Sequence, residues 1–208
     1  MYTPTAFRED EPAALAAMIR EARVANLVTA GAEGLLATPL PLFLAPDEGP
    51  HGTLYGHLAR ANPQWRQGPP GAGPVPEALA IFHGLDAYIT PSWYESKREH
   101  GRVVPTWNYV AVHAYGPAEF FDDEARLLDV VTRLTTLHES PRPEPWAVSD
   151  APAEFIRGQL RGIVGLRLPI TRIEGKRKMS QNRSAADRAG VAAGLAASAH
   201  AAAPLIPR

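Results

Sequence analysis

Apolar residues recur every three or four positions in several stretches of the chain, which is the spacing of one face of an α-helix. In 10–24, the clearest stretch, Leu15, Met18, Ile19 and Ala22 follow Asp10 and Pro12, which favour helix initiation. The pattern predicts further helices over Leu58 to Trp65, from Asp122, after Pro152, and from a capping box at Ser184 and Asp187 toward Pro204.

Between these helices the chain is rich in β-branched and aromatic residues, which predicts strands. Residues 26–30 and 35–44 flank a glycine-bounded turn at 31–34 and predict a hairpin. The other predicted strands lie in 53–57, 79–90, 103–121 and 163–173. Five to seven strands at this spacing predict a closed or partly closed barrel, in a mainly β fold with flanking helices (α+β).

Composition narrows the class of protein. Among 208 residues, 21 prolines and 17 glycines argue against long helices and coiled coils. A net charge of −1 gives no bulk attraction to DNA or anionic lipid. The absence of cysteine excludes disulfides and thiolate chemistry, and no apolar run is long enough to span a bilayer. We expect a cytoplasmic protein with one barrel domain over 1–182 and an alanine-rich helix and tail over 183–208.

The sequence lacks the patterns that are typical of several kinds of active site. The seven histidines form no HxH or HExxH pair, which argues against a metal site, and no GxSxG elbow supports a hydrolase. The proline- and glycine-rich loop over 67–76 has no lysine or hydroxyl residue, so it does not match a phosphate-binding loop. These patterns leave the catalytic residues unknown.

Three segments combine aromatic rings with cationic and amide side chains: 56–65, 89–97 together with 104–109, and 174–182. That mixture suits a planar anionic ligand. A strand ending at His57 and a helix starting at Ala59 would present backbone N–H groups to a phosphate, with Arg60 and Asn62 completing the site. Structural roles are the alternative: Trp93 and Trp107 as core aromatics, Arg60 as a surface charge, and 176–178 as an exposed basic turn.

These segments resemble the PaiB-like family of FMN-binding negative transcriptional regulators. The resemblance runs from Tyr2-Thr-Pro-Thr-Ala-Phe7 through GHLARANPQW, YITPSWYESK and VPTWNYVAVHAYG to EGKRKMSQNR. It implies the FMN-binding split β-barrel shared with pyridoxamine-phosphate oxidases and flavin reductases, and a homodimer with FMN at the subunit interface. At two positions the chain departs from the family, with Pro39 in place of a common histidine and Arg177 in place of a common tryptophan.

We therefore expect an FMN-binding dimer with flavin-dependent redox activity. The alternatives are a DNA- or protein-binding regulator that uses flavin as a sensor or structural ligand, with Arg183 and Arg188 available to DNA, and a barrel with a vestigial flavin site. Five apolar positions are predicted to contribute to the dimer surface: Leu40, Leu42, Leu44, Val110 and Val112. The candidate cofactor residues are Thr38, His57, Ala59, Arg60, Asn62, Ser92, Trp93, Lys97, Thr106, Trp107, Asn108, Lys178, Ser180 and Gln181.

Overall fold

The computed structural model describes residues 1–31, 34–67 and 77–207. Strands predominate over helices in these residues. The strands are β1 Arg8–Glu9, β2 Val24–Gly31, β3 Gly34–Pro41, β4 Phe43–Ala45, β5 Thr53–Ala59, β6 Glu77–Ile89, β7 Thr106–Pro117, β8 Glu119–Phe121, β9 Ile163–Pro169 and β10 Arg172–Lys178. The α-helices are α1 Pro12–Ala22, α2 Glu95–Glu99, α3 Glu124–Glu139, α4 Ala153–Leu160 and α5 Ala185–Ala197. No helix among the described residues is long and apolar enough to cross a membrane.

The chain divides into two compact units. The first contains Met1–Met18, His83–Val112 and Glu174–Arg208, and the second contains Ile19–Phe82 and His113–Ile173. The loop over 68–76 and the hairpin positions 32–33, both discussed from the sequence, lie outside the described residues.

The second unit contains the predicted hairpin. β2 pairs antiparallel with β3 from Val24↔Pro41 to Gly31↔Gly34, and its other edge pairs with the start of β6 from Ala25↔Phe82 to Thr29↔Ala78. A further sheet has the strand order β4-β5-β9-β8. Helices α3 and α4 cover an apolar cluster in this unit, made of Phe43, Phe121, Leu127, Val130, Leu134 and Leu160.

The first unit has its own core around α5. In this unit β1 pairs with β10 through Arg8↔Lys176 and Glu9↔Gly175. The alanine-rich α5 begins at its predicted N-cap, where the Ser184 hydroxyl accepts a hydrogen bond from the Asp187 backbone N–H at 3.2 Å. The buried cluster comprises Ala87, Ile89, Tyr94, Val110, Met179, Val191, Leu195, Ala202 and Ile206. The C-terminal helix is thus part of the core of this unit.

Three predictions about the elements were wrong. The described chain has ten strands, more than the five to seven expected. The predicted strand over 163–173 is two strands, β9 and β10, and β10 includes most of the basic segment that was expected to follow the last strand. No α-helix covers 58–65, because β5 continues to Ala59 and only the 3₁₀ turn Pro63–Arg66 follows.

Candidate functional site

Thr38 and Asn62 lie together in the second unit. The Asn62 side-chain amide donates a hydrogen bond of 2.9 Å to the Thr38 hydroxyl in β3. The Asn62 carbonyl oxygen in turn accepts a hydrogen bond of 2.9 Å from the Gln64 backbone N–H, which caps the 3₁₀ turn. The turn therefore fixes the polar atoms of Thr38 and Asn62 next to each other.

Gln64, which was not among the candidates, holds this turn to the β2–β3 hairpin. Its side chain is fully buried, and its amide nitrogen donates to the Leu27 carbonyl at 2.9 Å, the Thr29 hydroxyl at 3.0 Å and the Leu36 carbonyl at 3.3 Å. The signal in the sequence is a glutamine directly after an Asn-Pro cap. Gln64 therefore anchors the turn that carries Asn62 to the hairpin that carries Thr38.

Arg60 is occupied by protein groups. Its Nε donates to the Arg161 carbonyl at 2.8 Å, one terminal nitrogen donates to the Ile163 carbonyl at 3.1 Å, and the other pairs with Asp122 at 3.4 Å. This guanidinium holds the connection between α4 and β9. These contacts differ from the predicted exposure to a phosphate.

The predicted phosphate site at a helix N-terminus is also absent from this segment. Ala59 is the last residue of β5 and pairs with Ile163 across the sheet, so its backbone belongs to a strand. The only helical turn that follows is the four-residue turn capped by Asn62, which is too short to carry an anion site.

His57 lies in β5 of the second unit and is half-buried. Its Nδ1 atom is buried and has no hydrogen-bond partner among the described residues. Burial lowers the pKa of His57 below its ordinary value of 6.5, because desolvation disfavours the imidazolium. The residue is therefore neutral at physiological pH.

A pH dependence of stability follows from His57. Between the folded pKa and 6.5 the unfolded chain binds more protons at this residue, so the free energy of unfolding rises with pH across that window. Below the folded pKa both states bind the proton, and this contribution no longer changes with pH. Urea unfolding between about pH 5 and 7.5 should show this slope, and His57→Gln should flatten it. His51→Gln, at an exposed position, is the control and should keep the slope. Equal slopes in all three proteins would contradict the assignment.

Ser92, Trp93 and Lys97 lie around the 3₁₀ turn Pro91–Trp93 and α2 in the first unit. The Lys97 ammonium donates a hydrogen bond of 3.0 Å to the exposed Ser92 hydroxyl. Trp93 packs against α5, where Gly190 and Gly194 leave room for its backbone and its ring. Lys97 and Ser92 are therefore open to a ligand, whereas Trp93 has the core role that was the alternative.

Trp107 and Lys178 lie next to each other in the first unit. The Trp107 ring is 53% exposed and meets the Tyr88 ring edge-to-face, with 5.9 Å between centroids. The Lys178 ammonium donates to the Thr106 hydroxyl and to the Trp107 carbonyl, both at 2.5 Å. Burial lowers the pKa of Lys178 below its ordinary value, and the charges of Lys176 and Arg183 lower it further. The exposed Trp107 ring thus lies on β7, and the backbone carbonyl of the same residue accepts a hydrogen bond from the Lys178 ammonium.

Asn108, Ser180 and Gln181 bond mainly to one another and to their own chain. The buried Asn108 amide donates to the Ser180 hydroxyl at 3.0 Å, and Ser180 has a left-handed backbone with φ of 64°. The Gln181 side-chain oxygen accepts from the Met179 backbone N–H at 2.6 Å, and its nitrogen donates to the Arg177 carbonyl. These three residues shape the turn after β10.

The arginines expected to face DNA are bound within the first unit. Arg188 donates to the Pro207 carbonyl at 3.0 Å and to the Arg183 carbonyl at 2.7 Å. The Arg183 guanidinium lies over the Tyr94 ring, 4.7 Å from its centroid. The start of α5 therefore does not present them as free cations.

Comparisons with known proteins agree on one family. The family model described as "Putative FMN-binding domain" matches residues 1–172. The chain is 34% identical over 188 residues to the protease synthase and sporulation protein PAI 2 of Bacillus subtilis, covering 90% of this chain and 85% of that protein.

Solved structures agree on the fold. The FAD- and heme-binding protein of Mycobacterium smegmatis has a TM-score of 0.56 at 15% identity, covering 90% of this chain and 80% of that one. The flavocytochrome Anf3 of Azotobacter vinelandii also has a TM-score of 0.56, at 13% identity, covering 82% and 69%. The fold is the split β-barrel of flavin-binding proteins, as predicted. The chain belongs to the FMN-binding-domain family, in the PaiB-like group that the sequence motifs indicated.

Proposed function

We propose that the protein binds FMN, as a homodimer with the ligand at the subunit interface, and uses it in redox chemistry of low substrate specificity. The observation that carries the proposal is the exposed Trp107 ring beside Tyr88, on the strand that also holds the Lys178 ammonium. A flat aromatic face next to a cation suits a planar ring with an anionic substituent. Membership of the FMN-binding-domain family supports the same ligand.

The donor set fits such a ligand. Lys97 and Lys178 supply positive charge for the phosphate, and Trp107 supplies a stacking face. The hydroxyl groups of Ser92 and Thr106, in the same unit, supply hydrogen bonds for polar ring edges. The cofactor roles of Thr38 and Asn62, which lie in the second unit, stay predictions. Bound FMN would supply electron transfer, while these side chains bind and orient it. Trp93, Asn108, Ser180 and Gln181 support the site through the fold of the first unit.

The phosphate contact can be tested by fluorescence titration. Wild-type protein should quench FMN fluorescence with micromolar or tighter affinity and bind riboflavin much less well, because riboflavin lacks the phosphate. Lys97→Ala and Lys178→Ala should each weaken FMN binding by about 10–100-fold, the range for a charge-assisted hydrogen bond. Arg98→Ala is the matched control, because Arg98 is next to Lys97 in the chain and forms an exposed ion pair with Glu95 at 2.8 Å.

Two outcomes would contradict this assignment. Equal affinity for FMN and riboflavin would remove the phosphate contact. A Lys178→Ala protein that binds FMN normally but loses a steeply salt-dependent DNA complex would favour the regulator that acts on DNA, since each phosphate contact adds roughly 0.9 to the salt slope. The melting temperature of each variant shows whether its fold is intact.

The proposed dimer rests on exposed aromatic and aliphatic side chains of the first unit. Leu85, Tyr88, Val104 and Trp107 are each more than 40% exposed. The five positions predicted to contribute to the dimer surface are not available to a partner. Four of them are buried within one chain and the fifth is half-buried: Leu40, Leu42, Val110 and Val112, and Leu44. Light scattering at low micromolar concentration should give twice the chain mass. A monomer that still binds FMN would contradict the shared site.

A further inference from the structure

A cleft of about 440 Å³ opens in the second unit between the end of α1, strand β4 and helix α3. This volume lies within the range of about 300–1,000 Å³ that is typical of small-molecule sites. Its walls are mainly apolar and come from Ile19, Leu42, Phe43, Leu44 and Leu137. The hydroxyl groups of Thr132, Thr136 and Ser140 line the α3 side. None of the proposed flavin ligands lines it.

The charged side chains of the cleft all have one sign. Arg20, Arg23 and Arg133 line it, and no acidic residue among the described ones does. Arg133 is engaged elsewhere, because it stacks over Phe43 at 4.5 Å and pairs with Asp129 at 3.5 Å. Within the described part of the chain, Arg20 and Arg23 make no side-chain hydrogen bond or ion pair. The cleft therefore has an apolar interior and two guanidinium groups free to bind an anion.

Arg23 occupies a backbone position that normally favours glycine. It directly follows α1 with φ of 61°, its N–H donates to the Ile19 carbonyl at 3.1 Å, and its carbonyl accepts from the Leu42 N–H at 3.1 Å. A left-handed residue at this point of a helix end is usually glycine, since a Cβ atom there is strained. An arginine thus occupies a backbone position that favours glycine, and its side chain lines the cleft.

We propose that this cleft binds an amphiphilic carboxylate, a single carboxylate head on an unbranched apolar body, as in a medium-chain fatty acid. The head pairs with Arg20 and Arg23, and the apolar body lies against Leu42, Phe43 and Leu137. Charge complementarity decides the class of ligand, because an uncharged apolar body would leave both guanidinium groups unused and a multiply charged anion would leave the apolar walls unused. This site is separate from the proposed flavin site.

Isothermal titration calorimetry with dodecanoate below its micelle concentration tests the proposal. Wild-type protein should bind one dodecanoate per chain and bind dodecanol at least 10-fold more weakly. Arg20→Gln and Arg23→Gly should each weaken dodecanoate by about 10–100-fold, as expected for loss of a charge-assisted contact. Arg8→Gln removes an exposed arginine elsewhere and should leave binding unchanged. Saturating FMN should not displace dodecanoate.

Arg23→Gly separates a ligand role from a structural one. Glycine relieves the left-handed strain, so the melting temperature should rise by about 2–4 °C while dodecanoate binding falls. Failure of the wild type to bind dodecanoate would overturn the proposal, as would equal affinity for dodecanol or unchanged binding in Arg23→Gly. Competition between FMN and dodecanoate would also overturn it, because the cleft would then be the flavin site.

Discussion

Gly190→Ala should destabilise the protein by about 2–3 kcal/mol, although alanine is the better helix former by about 1 kcal/mol. Gly190 lies in α5, where an added Cβ would sit 1.9 Å from the Trp93 carbonyl oxygen. That oxygen belongs to the backbone and cannot rotate away. Either the helix or the turn at 91–93 must move, and the packing of α5 in the first unit loosens.

Gly158→Ala is the matched control because it makes the same change in another helix. In α4 the nearest atom to an added Cβ is the flexible Arg161 guanidinium, 3.9 Å away. This substitution should stabilise the protein by about 0.5–1 kcal/mol, as helix propensity alone predicts. Chemical denaturation measures the change in the free energy of unfolding for each variant, which should be a decrease for Gly190→Ala and an increase for Gly158→Ala. Stabilisation by Gly190→Ala would show that α5 does not pack closely on Trp93.

Gln64→Met should cost about 2–4 kcal/mol. The change keeps the length of the side chain but removes the amide that donates to the carbonyls of Leu27 and Leu36 and to the hydroxyl of Thr29, which keeps its own bond to Gln67. Each buried polar group left without a partner costs about 1–3 kcal/mol. Gln64 also anchors the turn that places Asn62 against Thr38, so the FMN affinity of this variant tests whether those two predicted residues contact the ligand.

Gln159→Met provides the comparison on an exposed face of α4 and should change stability by less than about 0.5 kcal/mol. Urea unfolding with both variants gives the difference directly. A cost below about 1 kcal/mol for Gln64→Met would mean that the three acceptors find other donors.

Elements whose signals are local were predicted well. Asp123, at the start of the helix predicted from Asp122, accepts a hydrogen bond of 2.9 Å from the Arg126 backbone N–H, and Ser184 caps α5 in the same way. The donor lies three residues from the cap in each case, so the sequence contains both partners. The hairpin β2–β3 was predicted for the same reason, because its turn lies between the paired strands.

The segment 58–65 was assigned wrongly because its partner lies far along the chain. Burial alternates along β5, with Leu54, Gly56 and Leu58 buried, and the ladder to β9 extends this pattern to Ala59. Ala59 pairs with Ile163, over 100 residues away, and no local signal reveals that ladder. Strand pairing of this kind overrides helical spacing in a short stretch.

For the site, the sequence predicted the chemical types of the side chains better than their partners. Lys97 and Trp107 remain accessible, as a ligand site requires. Gln181 binds its own turn, and Trp93 meets glycines of α5 some 100 residues later. Contacts of this kind decide whether a polar or aromatic side chain is free to bind a ligand, and those between distant segments cannot be read from the local sequence.

The hydrogen bonds of Arg60 to the α4–β9 connection bear on how the motif 56–65 identifies related proteins. Arg60 donates hydrogen bonds to the carbonyls of Arg161 and Ile163, so loss of its side chain would first reduce the yield of folded protein. Selection can then preserve the motif in chains whose ligand has changed. Under the proposed function, FMN binding in related chains would follow the residues at positions 107 and 178, where this chain has an exposed tryptophan and a lysine, rather than the length of the matching motif.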